Sequence, residues 1–254
     1  MIYIRSEEEI KKIAESNRIN YQALMMLKDY IKPGISTKQL DNLAEDYIRS
    51  MDAEPAFKGY KGYPATICAS INSEIVHGIP SKDRVLKDGD IISIDVGVKK
   101  DQYYGDAAYT YTVGEVNGEI QKLLDTTQQS LYKGIKKAVA GNNLSDIGHA
   151  VQSHVESNGF SVVRDLVGHG IGRKLHEDPE VPNFGEPGRG PKLKKGMCLA
   201  IEPMVNVGDF TIKTLDDKWT VVTQDGSLSA HFEHTITITD NGPLILADKK
   251  IEVN

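Results

Sequence analysis

The chain has 254 residues, 39% hydrophobic and 26% charged, proportions ordinary for a soluble globular protein and sufficient for one large core or two closely packed halves. A formal net charge of −6 gives no electrostatic footprint for nucleic acid or an anionic membrane, and no apolar run approaches the roughly 18 residues of a spanning helix. Two cysteines, Cys68 and Cys198, cannot build a disulfide framework and read as reduced thiols of a cytosolic protein; the first residues run into acidic Ser6-Glu7-Glu8-Glu9 without a signal-peptide pattern.

Ser6 and Glu9 form an S-x-x-E capping box. Ile10, Ile13, Ala14, Ile19, Leu24 and Leu27 follow near helical spacing, so a first helix is predicted that stops before Pro33-Gly34. Ser36-Thr37-Lys38-Gln39 caps a second helix, with Leu40, Leu43, Ala44, Tyr47 and Ile48 as its core stripe. Short strand-like runs and turns fill residues 57–94. Residues 91–113 then read as two strands, rich in β-branched and aromatic side chains, around a polar turn.

Asp95 sits inside an apolar run, where an unpaired carboxylate is expensive to desolvate. A turn centred on Lys100-Asp101 places Asp95 directly opposite Asp106, with Cβ atoms roughly 4.5–5.5 Å apart. Carboxylates that close repel unless a proton or cation lies between them. The hairpin thus offers half of a cation site; the alternative is a loop position for Asp106 and a partly exposed Asp95.

Further helices are predicted over residues 120–139 and 144–157, the latter closed by Asn158-Gly159. His149 and His154 fall on that helix and read as solvated. Residues 185–191, rich in glycine and proline, read as a loop that either lines a cleft mouth or makes a surface connection. Asn241-Gly242 signals a late hairpin.

One internal repeat stands out, at an offset of 107 residues. Gly34 and Gly141 each open a helix, and Leu40, Leu43, Ala44 and Ile48 match Ile147, Ala150, Val151 and Val155. The same offset aligns residues 86–95 with 193–202, which makes Glu202 the counterpart of Asp95. Each half runs helix, helix, then acid-bearing strands, which argues an α+β fold rather than alternating β-α-β units.

Glu202 lies in the apolar run Leu199-Ala200-Ile201-Glu202, and Glu233 opens the alternating strand Thr235-Ile236-Thr237-Ile238-Thr239. His169 lies in Gly168-His169-Gly170-Ile171-Gly172, where the glycines leave its ring approachable by backbone or ligand. Taken singly, Glu202 is equally explained by a buried Lys or Arg partner and His169 by ordinary core packing. Together, four acids and one His on separate apolar strands fit a binuclear site of hard, oxygen-rich ligands suited to Mn²⁺, Fe²⁺ or Co²⁺.

The segments Ser93-Ile94-Asp95-Val96-Gly97, Gly105-Asp106, Gly168-His169-Gly170-Ile171-Gly172, Ile201-Glu202-Pro203 and Phe232-Glu233-His234-Thr235 resemble the motifs of type I methionine aminopeptidases, in the short bacterial form. The resemblance covers nearly the whole chain. It implies the pita-bread fold shared with prolidase and aminopeptidase P, as one catalytic domain over residues 1–254 whose two pseudo-symmetric halves pack helices over a central antiparallel-rich sheet. It further implies a cytoplasmic monomer that removes the initiator methionine from nascent polypeptides with a small second residue, with transient ribosome contact. Two divalent ions would be held by Asp95, Asp106, His169, Glu202 and Glu233, Asp106 and Glu233 bridging, with Glu202 also the general base.

By the same resemblance His176 faces the scissile carbonyl and its oxyanion, and His77 the peptide beyond the cleaved bond. Phe57, Tyr60, Tyr63, Cys68 and Trp219 match positions of the methionine pocket, where soft and aromatic contacts suit a thioether. Core packing explains Phe57 equally well, whereas Trp219, on a turn after Asp216-Asp217-Lys218, is awkwardly placed for a purely structural indole. Leu175 departs from the aromatic residue that some members carry beside the catalytic His, which questions the pocket wall on that side. His231 and His234, flanking Glu233, read as structural. The rivals are an Xaa-Pro peptidase and an inactive pita-bread protein that binds peptides.

Overall fold

In the computed structural model, which describes residues 1–247, both predicted capping boxes form. The Ser6 hydroxyl accepts the Glu9 N–H (3.3 Å) and the Glu9 carboxylate accepts the Ser6 N–H (3.0 Å), opening α1 (Glu7–Lys28). Ser36 and Gln39 make the same reciprocal pair ahead of α2 (Thr37–Ser50). The first half continues through β1 (Glu54–Pro55), β2 (Ile67–Ile71), β3 (Glu74–Val76), β4 (Ile91–Lys100) and β5 (Tyr103–Thr112). The second half opens with α3 (Gly118–Lys137), which starts two residues early because the Asn117 side chain caps it, and α4 (Ser145–Ser157). Strands follow: β6 (Ser161–Val162), β7 (Gly168–Gly170), β8 (Glu177–Val181), β9 (Cys198–Ile201), β10 (Met204–Asn206), β11 (Ile212–Thr214), β12 (Val221–Thr223), β13 (Ser229–His231), β14 (His234–Thr239) and β15 (Gly242–Ile245).

This is the α+β order expected. Every strand pairing among the described residues is antiparallel. The central antiparallel layer is subdivided by its hydrogen bonds. The hairpin β4–β5 carries β1 and β2 alongside β4, β15-β14-β9-β7-β8 forms a second sheet, and β13-β10-β6 and β11-β12-β3 form two smaller ones. Leu24, Leu40, Ile94 and Val96 belong to a core between α1, α2 and the first sheet, while Leu123, Ile147, Leu199 and Ile236 belong to one between α3, α4 and the second. Among the described residues no helix is long and apolar enough to cross a membrane.

The repeat has a structural counterpart at the same offset. The Gly34 N–H donates to the Leu86 carbonyl (2.8 Å) and the Gly141 N–H to the Leu193 carbonyl (2.9 Å). The return bonds, Leu86 N–H to Ile35 and Leu193 N–H to Asn142, are both 2.9 Å. Gly34 and Gly141 share φ +94°, a left-handed turn conformation that an L side chain rarely adopts. Residues 248–254, the tail of the expected 1–254 domain, lie outside the described residues.

One register expectation is corrected. The β4–β5 turn is centred on Asp101-Gln102, both with positive φ (48° and 67°), so Asp95 pairs with Ala108 and Asp106 with Gly97. The shift moves each arm by one residue, so Asp95 and Asp106 become diagonal neighbours but keep the same face.

The halves are stitched where β5 meets residues 231–235. The Glu233 N–H donates to the Ala108 carbonyl (2.9 Å), the Thr235 hydroxyl to the Asp106 carbonyl (2.9 Å) and the Thr110 hydroxyl to the His231 carbonyl (2.8 Å). On its other side β5 lies against α1. The Asp106 N–H donates to the Asn17 side-chain oxygen (3.2 Å), and a Cβ added at Gly105 would stand 2.6 Å from the Asn17 backbone nitrogen. Gly105→Ala should therefore push α1 off β5 and cost about 1–3 kcal/mol, the usual range for overpacking. At about 2–4 °C per kcal/mol for a domain of this size, thermal unfolding should register a fall of several degrees. An unchanged Tm would mean that the helix yields freely there.

Candidate active site

Strands from both halves converge on one buried point. Asp95 projects from β4, Asp106 from β5 and His169 from β7, while Glu202 immediately follows β9 and Glu233 immediately precedes β14. The two glutamates thus sit just off the ladders rather than within strands. Of the two approaches expected at the glycines flanking His169, by backbone or by ligand, it is backbone that comes close. A Cβ at Gly168 would run into the Ala200 carbonyl oxygen and one at Gly170 into the Asp178 carbonyl oxygen, so they admit neighbouring backbone, not a ligand.

The His169 ring is fixed by the 2.9 Å bond between its Nδ1 and the Gly170 carbonyl. That contact assigns the proton to Nδ1 and turns the Nε2 lone pair inward, 3.7 Å from Asp106 Oδ2 and 3.6 Å from Glu202 Oε1. Donor atoms of Asp106, His169 and Glu233 all lie within 4.8 Å of one another. One carboxyl oxygen each of Asp95, Asp106 and Glu233 is buried without a hydrogen-bond partner among the described residues.

The electrostatics follow from this crowding. Burial first, and then the charges of Asp95 and Glu202, push the Asp106 carboxyl well above the usual range. Burial and the neighbouring carboxylates do the same to Glu233. Asp95 and Glu202 are pushed up to about 7, chiefly by burial, with His231 opposing the shift at Asp95 and His169 opposing it at Glu202. Orphaned oxygens, a lone pair aimed among them and mutual repulsion are what a hard divalent cation would relieve, so these residues fit such an ion.

A cavity of about 180 Å³ opens onto the cluster, and the twelve residues singled out in the sequence all line it, together with Lys61 and Leu175. Tyr63 is a strut whose hydroxyl reaches the Ile67 and Gly78 carbonyls (3.0 and 3.1 Å) while its ring forms the wall. Trp219 stands edge-on to Tyr63 (5.1 Å between centroids) and to His77 (6.2 Å). It is held on its turn because the Asp217 carboxylate accepts the N–H groups of Trp219 and Thr220, both at 2.8 Å. Phe57, Cys68 and Leu175 pack in the same small apolar cluster, so Leu175 does close the wall in place of an aromatic. Burial and the Asp95 charge keep the Cys68 thiol protonated, a soft surface rather than a nucleophile.

His176 is stacked on Tyr60 (5.3 Å), whose hydroxyl lies 3.0 Å from its Nδ1, and its ring centroid is 4.2 Å from that of His169. Desolvation lowers half-buried His77 to about 4, and desolvation with the nearby His169 and Lys61 shifts His176 in the same direction although that residue keeps an exposed edge, so both favour the neutral form near pH 7. His77 also has φ +60°, uncommon for a non-glycine residue and typical of functional sites.

The other histidines divide differently from expectation. His149 is exposed, its Nδ1 3.2 Å from the Gly185 carbonyl, whereas His154 is half-buried rather than solvated. His234 is buried beside the Tyr132 ring (5.9 Å). His231, read as structural, has Nε2 3.5 Å from Glu202 Oε2. The available signal was its spacing of two from Glu233, which places both on one side of an extended chain. Lys61, at the pocket rim with φ +48°, carried no such signal. Residues 185–191 are a surface connection fastened to α4, where the Gly188 N–H donates to Asp146 and the Arg189 N–H to Ser145, both at 2.7 Å.

A cluster of hard donors beneath an apolar pocket is the arrangement expected of a metal-dependent hydrolase. The chain belongs to metallopeptidase family M24, whose profile matches residues 11–240. It is 57% identical over 246 residues to a methionine aminopeptidase of Clostridium acetobutylicum, covering 97% of this chain and 98% of that protein. The crystal structure of a methionine aminopeptidase from Thermotoga maritima matches with a TM-score of 0.97 at 47% identity, covering 98% of this chain and 100% of that one. A prolidase from Pyrococcus horikoshii shares the pita-bread fold (TM-score 0.79, 24% identity, 99% of this chain and 65% of that one).

The raised carboxyls have a consequence for stability. Asp95 and Glu202 release their protons near 7 when folded but near 4 when unfolded, so the folded state binds protons more tightly. In the metal-free protein this contribution is fully present below about pH 4 and is lost as pH rises through 7. Measured as the difference from Glu202→Gln, in which the buried histidines that act in the opposite sense over this window cancel, the Tm of chelator-treated protein should fall from pH 5.5 to pH 8, and Mn²⁺ should raise the wild-type Tm more at pH 8. A metal-free difference that holds or rises across that window would contradict the assigned clustering.

Proposed function

We propose that this protein removes the N-terminal methionine from nascent polypeptides with a small second residue, by hydrolysis of the first peptide bond. The observation that carries the reading is an apolar pocket, walled by Phe57, Tyr63, Cys68, Leu175 and Trp219, opening directly onto unpaired buried carboxyls. Asp95, Asp106, His169, Glu202 and Glu233 would hold two divalent ions, cobalt, manganese or iron. Such ions, when bound, acidify a water and polarise the scissile carbonyl.

The rest is the work of side chains. Glu202, whose carboxylate stands beside the cluster at the pocket floor, would take a proton from water and pass it to the leaving amine. The Tyr60 hydroxyl donates to Nδ1 of neutral His176, leaving an Nε2–H to bind the carbonyl oxygen as it gains charge. His77, against Trp219 at the pocket edge, contacts the peptide beyond the cleaved bond. Closed walls around the first side chain confine the second residue to small ones. The whole chain works as one catalytic domain because each half supplies part of the site. We place it in the cytoplasm, as a monomer in transient contact with the ribosome; the absence of a membrane-spanning helix among the described residues is compatible with that placement.

The test is release of free methionine from Met-Gly-Met-Met by metal-stripped protein, with and without Co²⁺ or Mn²⁺. Release should require metal, be slight with Met-Leu peptides and vanish in Glu202→Ala. His176→Ala should lower kcat by about 10²–10³, the usual loss for an oxyanion donor. Cleavage confined to Xaa-Pro substrates would make the protein a prolidase; folded protein inactive with every metal would make it a peptide-binding relative.

A further inference from the structure

His231 ends β13, whose pairing with β10 sets His231 opposite Met204, two residues past Glu202. Its backbone is clamped to β5 at both ends, the N–H donating to the Thr110 hydroxyl (2.9 Å) and the carbonyl accepting from it (2.8 Å). Thr110 in turn meets the Ser93 hydroxyl at 2.8 Å. The imidazole so fixed is 1% exposed, and neither ring nitrogen has a hydrogen-bond partner among the described residues. A buried imidazole without a partner is costly, and the contact within reach is Glu202: Nε2 lies 3.5 Å from Oε2.

The Glu202 carboxylate therefore stands between two imidazoles. Oε1 faces the His169 Nε2 lone pair at 3.6 Å, and Oε2 faces His231. The two rings have opposite parts to play. His169 donates its Nδ1–H to the Gly170 carbonyl and presents a bare nitrogen, whereas the carboxylate within 4 Å of a His231 ring nitrogen is that of Glu202, with the Asp95 charge acting on the ring from farther off. The donor atoms that converge within 4.8 Å are those of Asp106, His169 and Glu233, and His231 stands outside that group. Apo hydrogen bonds at catalytic sites are commonly long and shorten on loading.

We propose that His231 is a positioning residue that donates Nε2–H to Oε2 of Glu202, fixing the carboxylate so that Oε1 is the oxygen presented to the metal cluster. The inference rests on the reading of Glu202 as ligand and base. Outer partners of this kind typically govern affinity or activity by about 10–100-fold.

The experiment compares His231→Leu, which fills the space without a donor, with His231→Gln, whose amide N–H can replace the imidazole. Co²⁺ affinity and stoichiometry are measured by calorimetry, together with kcat, KM and Tm on the full chain. His231→Leu should weaken Co²⁺ binding about 10–100-fold and lower kcat with KM within threefold, stoichiometry and Tm being unchanged. His231→Gln should restore both to within about fivefold. Wild-type affinity and kcat in His231→Leu, equal loss in both variants, a fall in stoichiometry (a ligand role) or loss tracking Tm would each overturn the proposal. The Co²⁺ measurement separates it from the activity assignment: an inactive wild type whose His231→Leu variant still binds Co²⁺ more weakly would refute the peptidase reading and keep the positioning role.

Discussion

The constraint on which this molecule turns is the confinement of four carboxyls and one bare imidazole nitrogen at the seam between its two halves. Two unit charges 4 Å apart repel by about 4 kcal/mol at the effective dielectric of a protein, and more than two acids share this space. Nothing cationic among the lining side chains reaches into the cluster; Lys61 lines the rim of the same cavity. The backbone must therefore hold the acids together against their repulsion. It does so through β5, which accepts the Glu233 N–H and the Thr235 hydroxyl from one side and packs on α1 at Gly105 from the other. Two separate apolar cores, one per half, anchor the arms of that clamp.

From that arrangement the division of labour in the site follows. Each half contributes acids, so the cluster exists only when the halves are docked. The pocket wall comes mainly from residues 57–68 and is closed by Leu175 and Trp219 of the second half. His77 and His176, shifted toward the neutral form, can donate hydrogen bonds without adding cationic charge beside the acid cluster. The Tyr60 hydroxyl meets Nδ1 of His176 and Trp219 borders His77, so orientation is fixed by aromatic neighbours rather than by further charges.

What was legible in the sequence was whatever local chemistry forces. Carboxylates inside apolar runs stood out because burial alone cannot explain them, and paired glycines at one offset exposed the repeat because a left-handed turn demands them. The hairpin register was misjudged for a local reason as well. Its turn uses Asp101-Gln102 with positive φ but no glycine, so the usual signal of a two-residue turn was missing. The site survived that error because side-chain direction depends on parity, and a turn displaced by one residue changes the pairing sum by two. The roles of Gly168, Gly170 and His231 were not legible, since each depends on which backbone lies alongside: Ala200, Asp178 and Met204 are remote in sequence.

The same confinement links metal occupancy to folding. A cluster that raises Asp106 and Glu233 well above their ordinary range stores unfavourable free energy in the empty protein, and a ligand that binds only the folded arrangement returns it by mass action. The backbone keeps Asp95 and Asp106 on paired strands and ties the Glu233 N–H to β5, so the acids stay near one another. Uptake of protons or cations relieves the repulsion that results. Protons and a divalent ion held by these acids would compete for the same oxygens, and the confinement that makes the cluster costly without a cation would keep its donors aimed at one.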